Sequence, residues 1–253
     1  MRNYLKAELF RNFKRMYFWI AALSFICIGL LGCGVIAYSN YKFNQDIHAN
    51  IVVGIATLCI PAYTFVLLLF TDMSIVEEIK NNTIKNIGSS GLSRTKMYVG
   101  KVIESILLML IYTVIVAVVI TVVSIIMLGM GDKVEFLDDL KECLLRGVAA
   151  TFLWGGAITF SMLLAIIVKN STASTLIYIL IFMMLGNIME LLGGYINPIF
   201  EQIKEYLIST QLGILGTGGE LIKDAIIKAG VIGIIYTLIF TVIGTIVINK
   251  KDI

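Results

Sequence analysis

Six long runs of apolar residues divide this chain. They cover residues 17–39, 51–72, 102–128, 144–168, 173–193 and 229–248. Each run has about 20 residues or more, which at the 1.5 Å rise of an α-helix is enough to cross about 30 Å of hydrocarbon. The runs are continuous rather than alternating, and a spanning segment must satisfy its own backbone hydrogen bonds in lipid. The pattern predicts an all-α integral membrane protein, a single domain of six transmembrane helices.

The first 16 residues alternate basic and apolar side chains at helical spacing. Leu5, Leu9, Phe13 and Met16 fall on one face of the predicted helix, and most of the Lys and Arg residues fall elsewhere. This pattern is typical of an amphipathic helix that lies in the headgroup region. A solvated basic flank is the alternative interpretation.

Two long polar segments separate the runs, residues 73–101 and residues 194–228. In the second segment, Pro198 can begin a helix, and Phe200, Ile203 and Leu207 recur at spacings of three and four. A further periodic stretch covers 221–227, after a Gly-rich turn. We therefore predict a pair of short amphipathic helices between spans five and six.

The distribution of Lys and Arg predicts the orientation. With both termini inside, the inner segments carry 13 of these residues and the outer segments carry 7. Because basic residues accumulate in cytoplasmic loops, both termini are predicted to be cytoplasmic, with 73–101 inside and 194–228 outside.

The composition is typical of a membrane protein and excludes some classes of binding partner. Charged residues make up 15% of the chain, against about 25% in soluble domains, and the mean hydropathy is +0.93. A net charge of +3 is too small to indicate a nucleic-acid partner. The four cysteines form no CxxC pair and His48 is the single histidine, so no metal site is predicted.

Motifs that would make this chain an enzyme are missing from the sequence. There is no GxxxxGK[ST] phosphate loop, no HExxH and no GxSxG. The charged residues Asp72, Glu104, Lys169 and Glu190 fall at the ends of predicted spans rather than deep within them, which disfavours an ion-driven carrier. An ion-driven transporter or channel stays open as the alternative function, and a membrane enzyme acting on lipid-linked substrates is a third possibility.

The segment 73–101 has a recognisable order. A helical pattern leads to a Gly-Ser-Ser-Gly break, and Ser93 can then cap the helix of the third span. The segment resembles the first inner loop of ABC-2 type permeases, especially the bacteriocin- and lantibiotic-immunity branch. The matching stretches are Glu77/Glu78, Thr83-Ile84-Lys85-Asn86, Leu92-Ser93-Arg94-Thr95-Lys96 and Gly100-Lys101. Asn82 and Gly91 depart from the family pattern, which has Gly and Pro at these positions.

The resemblance implies a transport subunit that takes its energy from a separate protein. It implies a coupling helix that docks in a cleft of a cytoplasmic ABC ATPase, present in two copies, which binds the ATP and Mg; this chain itself would bind no cofactor. A second permease chain, identical or homologous, would complete the transporter. The residues that the resemblance places at the ATPase contact are Glu77, Glu78, Ile79, Thr83, Ile84, Ile87, Arg94 and Lys96.

The resemblance also implies a peptide or lipophilic substrate, exported across a bacterial plasma membrane, with antimicrobial peptide resistance as one outcome. Candidates for the pathway lining are polar, flexible or aromatic residues within the spans: Trp154, Thr159, Met162 and Met183. Small and polar residues in spans also serve ordinary helix packing, which is the alternative for this group.

Overall fold

A computed structural model describes residues 2–80, 93–217 and 223–250, and within these ranges the secondary structure is helical, without strands. The helices, in chain order, are α1 (Arg2–Phe13), α2 (Met16–Phe43), α3 (Asn50–Leu58), α4 (Tyr63–Thr71), α5 (Glu77–Lys80), α6 (Arg94–Leu128), α7 (Lys133–Val168), α8 (Ser171–Tyr195), α9 (Ile199–Glu205), α10 (Ile208–Gly216) and α11 (Lys223–Lys250). A π-helical turn, Asp72–Val76, joins α4 to α5.

Five of the described helices, α2, α6, α7, α8 and α11, are long and apolar enough to cross a membrane, and the α3–α4 pair makes a sixth if it is counted as one span. The predicted all-α membrane fold is confirmed. We call the end of the bundle that carries α1, Lys80, Arg94 and the 168–171 turn the basal face. The opposite end, with residues 44–49, 129–132 and 196–217, is the apical face.

The second predicted span, 51–72, is broken rather than continuous. Its two helices meet at a bend of 65°. Pro61 lies in the break, and a proline lacks the backbone N–H and clashes with the preceding turn, so an α-helix cannot run through it undisturbed. The apolar run alone did not indicate this bend.

Helix α7 is the centre of the bundle. In its most apolar 18-residue window 67% of the residues are buried, against 11–22% in the other four long helices. It packs most extensively against α11, where Gly233 lies directly on the backbone of Phe152 and Leu153. A side chain at Gly233 would collide with that backbone, so the absence of a Cβ permits the close approach of the two helices.

The apical segment differs in part from its prediction. The first short helix follows Pro198 as expected. The second is α10, Ile208–Gly216, and residues from Lys223 onward already belong to the long helix α11. The second periodic stretch predicted at 221–227 is therefore, where the structure describes it, the first turn of the last span. Its apolar residues continue the pattern of α11, which explains the misassignment.

Helix α10 is held inside the apical half of the bundle. Arg146 of α7, 3% exposed, donates from Nη1 to the carbonyls of Leu215 (2.9 Å) and Thr217 (2.5 Å). Gly216 lies against Pro61, since a Cβ there would be 2.7 Å from the proline Cδ. The end of α10 thus packs on the bend between α3 and α4.

Candidate coupling site and transport pathway

The π-helical turn shapes the segment that was predicted to couple to an ATPase. It widens the helix at Asp72–Val76, and the amide of Glu77 bonds the carbonyl of Asp72, five residues back. Four of its residues, Met73 to Val76, are buried. The turn therefore leads α4 directly into α5, the described part of the predicted coupling helix.

Helix α1 packs polar and apolar residues together against the bundle: Glu8 and Asn12 are buried, and Tyr4 and Leu9 are partly buried against the core. Glu8 is 6% exposed and Asn12 is 0% exposed, whereas Phe10 and Met16 are 62% and 78% exposed. The expected amphipathic helix is present, but the face that packs against the bundle carries polar residues as well as apolar ones. Placement of the exposed apolar side in the headgroup region stays a prediction.

Two arginines connect α1 and its C-terminal end to the coupling segment. Arg11 Nη2 lies 2.8 Å from Glu78 Oε1 and 2.5 Å from Glu8 Oε2. Arg15 pairs with Glu77 and also reaches the carbonyl of Met73 at 3.4 Å. Burial by itself lowers the pKa of Arg11, but the hydrogen bond to Glu78 and the charge of Glu8 outweigh it, so the pKa is raised and the guanidinium stays charged.

Lys101 of α6 lies beneath the π-helical turn. Its side chain is 0% exposed, and its Nζ lies 2.8 Å from Glu78 Oε1 and 3.5 Å from Glu8 Oε2. The same ammonium donates to the carbonyl of Ser74 at 2.9 Å. One buried cation thus binds the backbone of the π-helical turn and the first turn of α5 at once.

A second buried acid completes the cluster on the far side. Glu104 is 0% exposed; it accepts a hydrogen bond from Asn12 and one from Ser74 Oγ at 3.4 Å. Tyr4 lies beside these carboxylates, and burial, followed by the charge of Glu8, raises the pKa of its phenol, which keeps it neutral. We call Glu8, Arg11, Glu78, Lys101 and Glu104 the basal charge cluster.

The predicted ATPase contacts fall into three groups. Glu77, with 47% of its side chain exposed, Arg94 and Lys96 lie at the surface, and Ile79 is half-buried. Glu78 is 4% exposed and paired within the chain, which is at odds with a direct contact between its carboxylate and another protein. Thr83, Ile84 and Ile87 lie outside the described residues.

A groove of about 350 Å³ opens on the basal face beside α5. Val76 and Ile79 form one wall. The turn between α7 and α8 forms the other, with Lys169 in a left-handed backbone conformation (φ 59°) and Asn170 capping α8 through Ala173 N. The groove is therefore apolar on the coupling side and polar on the side of the turn.

Three of the four predicted pathway residues lie in the interior of this chain. Trp154, Thr159 and Met162 are 4%, 0% and 0% exposed on α7, and the ring of Trp154 packs on Tyr63 at 4.5 Å. Helix α7 is surrounded by other helices, so its aromatic and polar residues serve packing within the chain. Their burial fits ordinary helix packing, and the place predicted for these three residues in a pathway stays a prediction.

Met183 alone of the four is open, with 61% exposed. It borders a cleft of about 250 Å³ on the apical side of the α3–α4 bend. The remaining walls come from the bend, from α8 and from α10: Pro61, Ala62, Thr64, Phe65, Phe182, Ser209 and Leu212. The cleft is apolar and aromatic, with two hydroxyl groups.

Sequence reasoning missed the basal charge cluster, although one signal was available. Glu8 and Arg11 stand three residues apart in the first helix, and so do Lys101 and Glu104 at the start of the third run. Each pair lies on one helix face, with opposite charges, at the same end of the bundle. Glu104 was noted only as a charge at a span end, and Lys101 only as part of a motif.

The fold defines the class of the protein. It is a multi-pass α-helical membrane protein whose π-helical turn and α5 are tied into the bundle by buried charges. Residues 4–186 match the model of the family described as ABC-2 family transporter protein. The match covers more than half of the chain, so the chain belongs to this family. The chain is therefore a membrane component of an ABC transporter. Members of this family lie in the lipid bilayer and work with a partner ATPase. No curated protein matches the chain.

Proposed function

We propose that this chain is the permease subunit of an ATP-binding cassette exporter that moves a peptide or another lipophilic compound across a bacterial plasma membrane. In this proposal both termini and the basal face are cytoplasmic. Two ATPase subunits bind ATP and Mg, and a second permease chain, identical or homologous, completes the pathway. Resistance to an antimicrobial peptide is the physiological role that the resembling branch implies.

The observation that carries the proposal is the basal groove. It places the start of the coupling segment and the α7–α8 turn side by side, so that a helix or loop of another protein can contact both. Val76 and Ile79 supply apolar surface, and Lys169 of the α7–α8 turn supplies charge. An amphipathic segment whose apolar side meets one wall and whose polar side meets the other is a common recognition mode.

The apical cleft supports the proposal that the substrate is lipophilic. Its walls are mostly apolar, it borders an open methionine, and it lies beside the proline bend between α3 and α4. Methionine and aromatic side chains adapt to apolar ligands of varied shape. We place Met183 in the pathway, together with Phe65 and Phe182.

The test is co-purification combined with transport. We expect the tagged chain, extracted in mild detergent from the membranes of its source, to retain a stoichiometric protein that carries a GxxxxGK[ST] sequence. Ile79→Glu should abolish this association because it places a charge in the groove. Ile203→Glu, a matched change of an exposed isoleucine on α9, should leave it intact.

Transport is then measured with inside-out vesicles and a fluorescently labelled cationic amphipathic peptide. ATP-dependent uptake that is lost in Ile79→Glu supports the proposal. A chain that purifies without an ATPase even after cross-linking, and whose vesicles accumulate the peptide only under an imposed ion gradient, would establish the ion-driven alternative instead.

A further inference from the structure

The π-helical turn and Lys101 form a mechanical unit that neither the family nor the groove accounts for. In an α-helix the amide of each residue bonds the carbonyl four residues back, but here the amide of Glu77 bonds Asp72, five residues back. The turn therefore contains one residue more than an α-helical turn. Such turns are rare and are often found at functional sites.

The extra residue decides where α5 points. If the turn returned to α-helical geometry, everything after it would rotate by about 100° about the helix axis, since an α-helix has 3.6 residues per turn. Glu78 now faces inward, at 2.8 Å from both Lys101 and Arg11. In the other geometry Glu78 would turn away from Lys101, and the side of α5 that borders the groove would change.

Lys101 contacts the backbone inside the turn and the side chain that follows it. Its Nζ binds the carbonyl of Ser74, inside the π-helical turn, and the carboxylate of Glu78, just after it. Both bonds can form together only while the turn keeps its present geometry. The ammonium is fully buried, and loss of either bond would leave a buried charge less well compensated, so both bonds are strong constraints.

We propose that the π-helical turn is a hinge with two states, and that Lys101 is the positioning residue that holds it in the state described here. The inference rests on the proposed function. When the two ATPases close, α5 would move with them, and the hinge would transmit that movement to α4 and to the bend at Pro61. Lys101 would act through the turn, without touching ATP or the substrate.

The first measurement needs no ATPase. In a background without the four native cysteines, a cysteine is placed at Ile75, which is 0% exposed in the turn, and its rate of reaction with a soluble maleimide is measured in detergent. Lys101→Met should raise the rate about tenfold or more, since the loss of a charge-assisted hydrogen bond can shift an equilibrium by that factor. Lys101→Arg should restore most of the protection.

Two controls separate a hinge from general loosening. A cysteine at Ala150, 0% exposed on α7, should react at an unchanged rate in Lys101→Met, and Lys141→Met, an exposed lysine on α7, should leave Ile75→Cys protected. The double variant Glu78→Gln/Lys101→Met removes the opposite charges of this ion pair together, so that neither is left without the other. It should recover thermal stability but keep the fast reaction at position 75.

The second measurement uses the assembled complex. Lys101→Met should retain ATP hydrolysis and lose at least about tenfold in peptide transported per ATP, a loss that the double variant should share. If the double variant recovers both protection and transport, Lys101 only balances a buried charge and the hinge is wrong. Unchanged labelling at position 75 in Lys101→Met also overturns it. A failure of the proposed function is distinguished by a different result: the wild-type chain itself would bind no ATPase.

Discussion

Arg146 allows a quantitative test of how the apical end is held together. The perturbation is Arg146→Met, which keeps most of the side-chain volume and removes the guanidinium. The lost interactions are its two hydrogen bonds to the carbonyls of Leu215 and Thr217, at 2.9 and 2.5 Å. These carbonyls end α10, so the cation also faces the negative end of that helix.

The magnitude follows from burial. A hydrogen bond from a charged group is worth about 1.5–3 kcal/mol, and the lower value applies because removal of Arg146 also removes the cost of burying its charge. Two such bonds give a loss of about 3 kcal/mol in the free energy of unfolding. Most of it should be local, because the bonds hold α10 rather than the long helices.

Glu142 provides the control. It pairs with the same guanidinium, but 42% of its side chain is exposed. Glutamine keeps an oxygen that can accept from the guanidinium, and the pair is open to solvent on the Glu142 side, so Glu142→Gln should cost about 1 kcal/mol or less while the carbonyl bonds remain. Comparison of the two variants therefore separates the contribution of the ion pair from that of the two carbonyl bonds, which we call the Arg146 clamp.

The assays are thermal unfolding in detergent and hydrogen exchange of residues 208–217. Arg146→Met should lower the midpoint and speed exchange in α10, and Glu142→Gln should have a much smaller effect on both. Equal destabilisation by the two variants, or unchanged exchange of α10 in Arg146→Met, would show that the Arg146 clamp does not hold this helix.

Three further outcomes follow from the packing. Gly233→Val should force α11 away from α7, with a loss of about 3 kcal/mol or more and poor recovery of folded protein by size-exclusion chromatography, whereas Gly213→Val, where a Cβ meets open space, should be recovered normally. Tyr178→Phe should cost about 1 kcal/mol in thermal unfolding, because it removes the 3.1 Å bond from the phenol to the carbonyl of Thr64; no change would mean that the carbonyl finds another donor. Asp132→Ala should cost about 1 kcal/mol and Asp132→Asn much less, since the side chain caps α7 through Val134 N at 2.9 Å.

The hydrophobic pattern predicted the number and type of the spans because lipid leaves few alternatives to an apolar helix. The pattern also predicted the short helix after Pro198, because a proline favours the first turn of a helix. It missed the bend at Pro61, because a proline inside an apolar run is compatible with either a kinked span or a broken one. The bend packs on Gly216 at the end of α10, which is distant in sequence.

The candidate site was predictable only in outline. Motif order indicated the coupling segment, but the role of Glu78 depends on Arg11 and Lys101, 67 residues before it and in the next helix. Periodicity of α1 predicted one apolar face, whereas the helix is attached through the partly buried Leu9 and also through polar contacts with Lys101 and Glu104 of α6. A single sequence does not reveal such pairing, because nothing local marks which buried acid meets which base.

The central position of α7 also has a consequence for biosynthesis. The spans α2 and α6 precede α7 in the chain, and few of their residues are buried even in the finished bundle. Each can therefore enter the bilayer and remain there in contact with lipid before α7 is made. The core cannot close until the ribosome has passed Val168, and α11, the main partner of α7, is the last described helix to be made. Assembly therefore depends on the C-terminal end of the chain, and a nascent chain cut short before α11 would leave Gly156 and the neighbouring face of α7 uncovered. Quality-control proteases of the membrane would be expected to recognise that unfinished face.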